Sequence, residues 1–372
     1  MKRPRIDQLL AGFGDGDATS MSARIVRDTC RALGFRSDII APLDRVSPTL
    51  KDDCVPLHEY APSNHDLCIY HYGISSPSTE RFRTVCAKRV IFYHNITPGH
   101  FFRGFDDDIA NQLDAARSEL ADILRLADAV WTPSAYNAQD LDGTNVRVFE
   151  LPFDHQYLDV VADPKLMSKR RASQITWLFV GRVAPNKCVE DLMQAFAWYH
   201  RTINRQSRLL IVGSHRSCPR YYTMLRMLAS DLDVPNICLT GFASGAGLSA
   251  YYAMADIYIN TSAHEGYCLP LVEAMYKGVP VISRSVGGVP EAMAGAGIRY
   301  QDLSPRELAE LAHLLLSDGH LRAEIVAAQQ RRVADALNRD LKREVDALLQ
   351  PLLTSPNLVE PAPKKMQQSV SK

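Results

Sequence analysis

The sequence predicts an α/β protein with two doubly wound parallel-sheet domains facing each other across a cleft. Three observations carry this. Apolar runs of strand length alternate with amphipathic segments of helical length along nearly the whole chain, which is the signature of repeated β-α units. Runs such as Leu67 to Tyr72, Ile175 to Val180 and Val279 to Ser283 are apolar almost throughout, as in strands covered on both faces. Several run into glycine-bearing loops, Gly12 to Gly16, Gly181 to Lys187 and Gly287-Gly288, on the edge where such sheets bind ligands.

A chain of 372 residues, 46% of them hydrophobic, is long enough for two domains with substantial cores. The 42 basic and 42 acidic residues balance, so nucleic acid is not expected as a partner. Eight cysteines are scattered without C-x-x-C pairs or zinc-site spacing, the usage of reduced thiols in a cytosolic protein. The basic start, Met1 to Arg5, is followed by an apolar run broken by Asp7, Gln8, Gly12 and Gly14. It reads as neither signal peptide nor membrane span, so a cytoplasmic protein is expected, meeting a membrane only peripherally.

The first domain, residues 1–165, begins with a strand from Arg5 to Ala11, then Gly12-Phe13-Gly14-Asp15-Gly16-Asp17-Ala18 and a helix from Ser20 to Leu33. Gly14 and Gly16 fit either a backbone surface against which a ligand lies or a tight turn with Asp15 or Asp17 as helix cap. Asp15-Gly16-Asp17 alone is weak ground for a metal, and none is expected. Strands follow at Arg36 to Ala41, Leu67 to Tyr72, Arg89 to Asn95 and Ala129 to Ser134. Two of them end in His71 and His94, which would line a cleft at one sheet edge; a structural, hydrogen-bonded role is the alternative. Asp106 to Asp108 read as the capped, acidic start of a helix from Ile109 to Leu126. Arg81, Arg83, Lys88 and Arg89 suit either an anionic membrane surface or a solvated helix face.

Val146 to Leu151 is the last run of this half, and Pro152 to Arg171 reads as the connection between domains. The second domain, 166–335, resumes with the strand Ile175 to Val180 and the loop Gly181-Arg182-Val183-Ala184-Pro185-Asn186-Lys187. Arg182 and Lys187 place two cations at a strand's carboxyl end, where a diphosphate could be neutralised. A helix at Val189 to His200, strands at Arg208 to Val212 and Asn236 to Thr240, and helices at Tyr221 to Leu232 and Leu248 to Met254 continue the pattern. Ala255 to Ile259 then leads through His264-Glu265-Gly266-Tyr267-Cys268-Leu269-Pro270 into a helix ending at Gly278. Free amides and the helix dipole there favour an anion, and Glu265 and Glu273 set carboxylates beside it. A sugar nucleotide, both phosphate and polyhydroxyl, uses all of these. Pro305 to Leu316 and Leu321 to Leu349 read as helical; residues 336–350 form a C-terminal helix that packs back on the first domain, and 351–372 a disordered tail.

Glu265 to Met275, Val180 to Lys187 and Gly287-Gly288-Val289-Pro290-Glu291 together resemble the motifs of the family 4 retaining glycosyltransferases (glycosyl transferases group 1), a GT-B group that builds bacterial polysaccharides, lipopolysaccharides and glycolipids. The first of these is similar to the family's E-x7-E stretch. The resemblance implies two Rossmann-like domains and no cofactor beyond the nucleotide-sugar substrate. It implies that Gly181, Arg182 and Lys187 hold the donor diphosphate, that Glu273 binds the ribose, and that Glu265 contacts the transferred sugar beside the amides of Gly266, Tyr267, Cys268 and Leu269. His94 would approach the reacting sugar from the first domain, with Gly14 and Gly16 near diphosphate or acceptor. Cys268 stands where the family often has glycine. The implied reaction moves a sugar from a UDP- or GDP-linked donor to a glycan or lipid-linked acceptor, configuration retained and without metal. A GT-B sugar-nucleotide 2-epimerase and a non-catalytic nucleotide-binding partner are the alternatives.

Overall fold

In the computed structural model, which describes residues 3–141, 145–171 and 173–354, the thirteen strands form two wholly parallel sheets. The first holds β1 (Ile6–Leu10), β2 (Ile39–Ala41), β3 (Val55–Pro56), β4 (Leu67–Tyr72), β5 (Lys88–Tyr93), β6 (Ala129–Thr132) and β7 (Val146–Val148), in the order β3-β2-β1-β4-β5-β6-β7. The second holds β8 (Ile175–Val180), β9 (Ser207–Val212), β10 (Ile237–Gly241), β11 (Ile257–Asn260), β12 (Val281–Arg284) and β13 (Ile298–Tyr300), ordered β10-β9-β8-β11-β12-β13. Each order reverses once, beside β1 and β8, and a doubly wound sheet opens its ligand crevice at that point.

The central strands are apolar on both faces because both are covered. In the first sheet Leu9, Tyr70, Tyr72 and Ile91 are buried on one side, and Ile6, Ile69, Phe92 and Trp131 on the other. Each large side chain so enclosed contributes roughly 1.5–3 kcal/mol. β11 is buried at all four positions, and it feeds the helix Leu269–Tyr276, which carries Pro270 in its first turn, where the missing N–H costs nothing.

Several boundaries differ from expectation. The run expected as one helix from Leu321 to Leu349 is two, Gly319–Leu337 and Leu341–Thr354. Between them Arg339 turns back to the carbonyl of Glu150 at 3.1 Å and the carboxylate of Glu344 at 2.6 Å. The last helix runs through Pro351, expected to begin the tail, because Leu352 is buried and its carbonyl accepts from Lys88 Nζ; the expected tail from 355 onward lies outside the described residues. Val345 and Leu349 of this helix share a cluster with Val26 and Cys30 of the helix Ala18–Ala32 in the first domain. β13 and the two-residue β3 were not anticipated; both are too short for a periodic signal.

The connection, expected over Pro152 to Arg171, already packs on the second domain near its start. Phe153 meets Tyr276 edge-on at 5.5 Å, the carbonyl of Leu158 accepts from Ser249 and Lys277 at 3.1 and 3.0 Å, and Asp163 N–H donates to Ala246 at 3.0 Å. The chain therefore crosses near Glu150, ahead of the expected boundary at 165. Among the described residues no helix is long and apolar enough to cross a membrane. The basic cluster works inside the fold: Arg83 pairs with Glu80 and Glu119 at 3.2 and 3.1 Å, and Arg89 donates to the carbonyl of Arg83 at 3.3 Å.

Candidate functional site

The two crevices face each other. From the second domain come the loop after β8, with Gly181, Arg182 and Lys187, and the loop after β11, with Glu265 to Cys268. From the first come the loop after β1, with Gly14 and Gly16, and His94, the residue after β5. A Cβ on Gly266 would lie 2.6 Å from the carbonyl oxygen of His94, so these two walls meet backbone to backbone there. Ser134 Oγ donates to the Gly266 carbonyl at 3.2 Å, and Glu291 accepts from the amides of Ala135 and Tyr136 at 2.6 and 2.9 Å across the same junction.

Glu265 is the buried centre of the second wall. Both its carboxylate oxygens lie 2.7 Å from Lys187 Nζ, and Ser262 Oγ donates to one at 2.7 Å. Burial alone would raise this carboxyl, but the Lys187 charge together with hydrogen bonds from Lys187, Ser262 and Cys268 holds it below its ordinary value. It is thus an ionised group held in place. Arg182 is exposed and has no ion-pair or hydrogen-bond partner among the described residues. Of the two cations singled out, one is committed to Glu265 and one is free.

Only glycine fits at two places against the loop carrying Glu265 and at one against the loop carrying Arg182. A Cβ on Gly287, at φ +55°, would fall 1.9 Å from the Glu265 carbonyl oxygen, and one on Gly288 2.1 Å from that of Gly266. At Gly213 it would fall 1.7 Å from the Gly181 carbonyl. The Gly287-Gly288 pair therefore shapes the Glu265 loop from behind. Cys268, at φ 75°, caps the next helix in the left-handed region, which explains why glycine suits this position.

Glu273 lies one turn into that helix and is buried. Tyr157 and Tyr252 hydroxyls donate to its two oxygens at 2.5 and 2.6 Å. Burial raises its pKa, and the two hydroxyls oppose this. Tyr157 belongs to the stretch expected as the connection, which packs on the second domain, so the carboxylate expected to meet ribose meets that stretch here. The side chain of Tyr267 also turns from the cleft: its hydroxyl bonds Glu150 and accepts from Arg332 at 2.9 Å. Of Tyr267, the backbone is what remains for a ligand.

On the first wall, His94 is half-buried; its Nε2 lies 2.9 Å from His71 Nδ1, and His71 Nε2 lies 3.0 Å from Gln8 Oε1. Burial pushes His94 down to about 3 and His71 well below its ordinary value, so both rings are neutral. Gly16, at φ +68°, faces the half-exposed ring of Phe242 across the cleft, where a Cβ would come within 2.6 Å. Asp17 caps the helix Ala18–Ala32 through Ser20, and Asp15 accepts from Thr49 at 2.5 Å, so both carboxylates already serve the loop. Sequence reasoning missed Gln8, Ser262, Tyr157, Tyr252 and the Glu150–Arg332 pair. Only Gln8, a polar residue inside an apolar strand, carried a local signal.

Residues 167–332 match the family model described as glycosyl transferases group 1. The GDP-mannose-dependent alpha-mannosyltransferase of Mycolicibacterium smegmatis is 35% identical over 116 residues, 31% of this chain and 27% of that protein. The D-inositol 3-phosphate glycosyltransferase of Segniliparus rotundus is 33% identical over 149 residues, 39% of this chain and 33% of that protein. The matched segment thus spans a third or less of these relatives. Over the whole fold, the sucrose-phosphate synthase of Thermosynechococcus elongatus superposes with a TM-score of 0.71 at 17% identity, covering 94% of this chain and 99% of that one. HepE of Anabaena, solved with UDP and glucose, gives 0.70 at 17% identity, covering 94% and 99%.

Proposed function

We propose, from the premise that residues 167–332 belong to glycosyl transferases group 1 and that the chain has the GT-B fold, that this protein transfers a sugar from a nucleoside diphosphate sugar to an acceptor hydroxyl. The observation that carries the reading is the Glu265–Lys187 pair at the start of the helix Leu269–Tyr276, with Arg182 unpaired on the neighbouring loop and His94 on the opposite wall. Separating a sugar from a diphosphate needs fixed positive charge at the leaving group. Arg182 and the helix N-terminus supply it, with Lys187 reaching the diphosphate only as far as its pairing with Glu265 allows, without a metal in this reading. The ionised Glu265 accepts hydrogen bonds from hydroxyls of the transferred sugar, and the main chain of Gly266 to Leu269 lines sugar and phosphate.

In the step, the bond from the anomeric carbon to the diphosphate oxygen breaks, the acceptor oxygen bonds that carbon from the same face, and the acceptor proton passes to the departing phosphate. Configuration is thereby retained. His94 and His71, neutral and far below their ordinary pKa, are poor bases, which favours the phosphate as proton acceptor. A glycan or lipid-linked acceptor in polysaccharide or lipopolysaccharide assembly, at the cytoplasmic face, fits relatives such as the O-antigen chain mannosyltransferase B of Escherichia coli, 27% identical over 132 residues.

The test begins with thermal stabilisation by UDP- and GDP-sugars, since a ligand bound by the native state raises the melting point. Transfer to candidate acceptors follows, with anomeric configuration read by NMR and EDTA as the metal control. Glu265→Ala and Arg182→Ala should each lower kcat at least ~100-fold, the scale of losing one charge-stabilising contact. Conversion of the donor alone into a second sugar nucleotide would indicate an epimerase. Undiminished transfer by both variants would refute the site.

A further inference from the structure

We infer that Gln8 and His71 are positioning residues that fix the tautomer of His94, so that His94 offers its Nδ1 lone pair in the cleft to a hydroxyl of the sugar or the acceptor. Only the identity of that hydroxyl rests on the proposed function; the tautomer follows from the hydrogen bonds and the orientation of the Gln8 amide.

The three side chains come from adjacent strands: Gln8 from β1, His71 from β4, and His94 just past the end of β5. Gln8 presents its amide oxygen to His71 Nε2 at 3.0 Å. An amide oxygen only accepts, so His71 Nε2 carries the hydrogen, and a neutral imidazole carries one. His71 Nδ1 is then a lone pair, and the nitrogen 2.9 Å away, His94 Nε2, must donate to it. One assignment propagates through two rings and leaves His94 Nδ1 bare.

Counting one hydrogen per ring is sound here. Both rings lie among the aromatic side chains of one sheet face: His71 is 5.3 Å and His94 4.5 Å from the Phe92 ring, and the two imidazoles stack at 5.1 Å. That apolar enclosure disfavours the cation. His94 Nδ1 has no hydrogen-bond partner among the described residues and is not one of the polar atoms sealed from solvent. The backbone contact between His94 and Gly266 puts this residue at the junction with the loop that carries Glu265. A neutral lone pair there can accept a hydroxyl hydrogen and hold the hydroxyl without removing its proton. Gln8 Nε2 is buried without a partner, so the chain depends on which way this amide points: turned over, it would reverse both bonds and make His94 Nδ1 a donor.

Long-range 1H–15N spectra of the full-length protein labelled with 15N-histidine read the tautomer directly, with His94→Gln giving the assignment. At neutral pH, His94 should show a protonated Nε2 and a bare Nδ1. Gln8→Met and His71→Phe should each shift His94 towards a tautomer mixture and lower kcat by up to roughly 100-fold, as misplacement of a reacting group does, with donor KM within about twofold. A proton on His94 Nδ1 in the wild type, or variants that change neither spectrum nor kcat, would overturn the inference. The wild-type spectrum decides the tautomer even where a variant fails to fold. The expected tautomer in a protein that transfers no sugar would remove the proposed function and leave the relay standing.

Discussion

Replacing Lys187 by Met removes a cation and keeps much of the side chain's volume, so it isolates the charge. Glu265 is 7% exposed and the Lys187 side chain 16%. At 2.7 Å and an effective dielectric of about 20, their attraction is about 6 kcal/mol. Desolvation of both groups offsets part of this, but losing one partner leaves the cost of burying the other, so the variant should lose about 3–5 kcal/mol. The pH dependence has a definite sign. In the wild type the folded pKa of Glu265 is depressed, so the pair stabilises above the ordinary carboxylate range, and that stability is lost as pH falls through the folded value. In Lys187→Met burial dominates and the carboxyl moves up, so acidification neutralises it and relieves the cost. The gap between the two proteins is therefore widest at neutral pH and narrows in acid. Urea unfolding of Lys187→Met, Glu265→Gln and the double variant measures this. The double variant should lose much less than the two singles together. Additive losses, or a gap that widens in acid, would refute the reasoning.

Gly288→Ala should destabilise by about 3 kcal/mol, because its Cβ has the Gly266 carbonyl 2.1 Å away; an unchanged urea midpoint would contradict that packing. Cys268→Val should cost about 2 kcal/mol through the strain of a β-branched residue at φ 75°, whereas Cys268→Gly should stay within about 1 kcal/mol of wild type; calorimetry compares the two. Tyr267→Phe should lose about 1–2 kcal/mol, since Arg332 and Glu150 both bond the missing hydroxyl. Equal melting temperatures would show that the network is idle.

The parallel sheets were legible because β4, β8 and β11 are buried along their length or nearly so, and a continuous apolar run is what such strands require. The break near Arg339 was missed although it carries local signals. Asn338 caps the end of one helix and the Asp340 carboxylate accepts from the Arg343 amide at the start of the next, while Arg339 adds a bond to a carbonyl nearly two hundred residues earlier in the chain. The same division runs through the site. Glu265, Arg182, Lys187 and the glycine pair stand in compact motifs, so their neighbourhood could be read. That Lys187 faces Glu265 rather than standing free is a matter of two loops meeting, which no local pattern encodes. Tyr157 lies in a stretch without periodicity, and its bond to Glu273 joins residues 116 positions apart.

The loop leading into the helix that carries Glu273 is fastened to the crossing between the domains through Tyr267 and Glu150, and the helix itself holds the stretch after that crossing through Glu273 and Tyr157. The angle between the domains and the shape of this helix's surroundings therefore cannot be adjusted independently. A rotation that stretches the Tyr267–Glu150 bond is felt where the nucleotide would sit, and by thermodynamic reciprocity a ligand that shifts Tyr267 biases the rotation by the same free energy. Arg182, exposed and without a side-chain partner among the described residues, lies outside this coupling. Altering donor preference without altering closure would have to begin there.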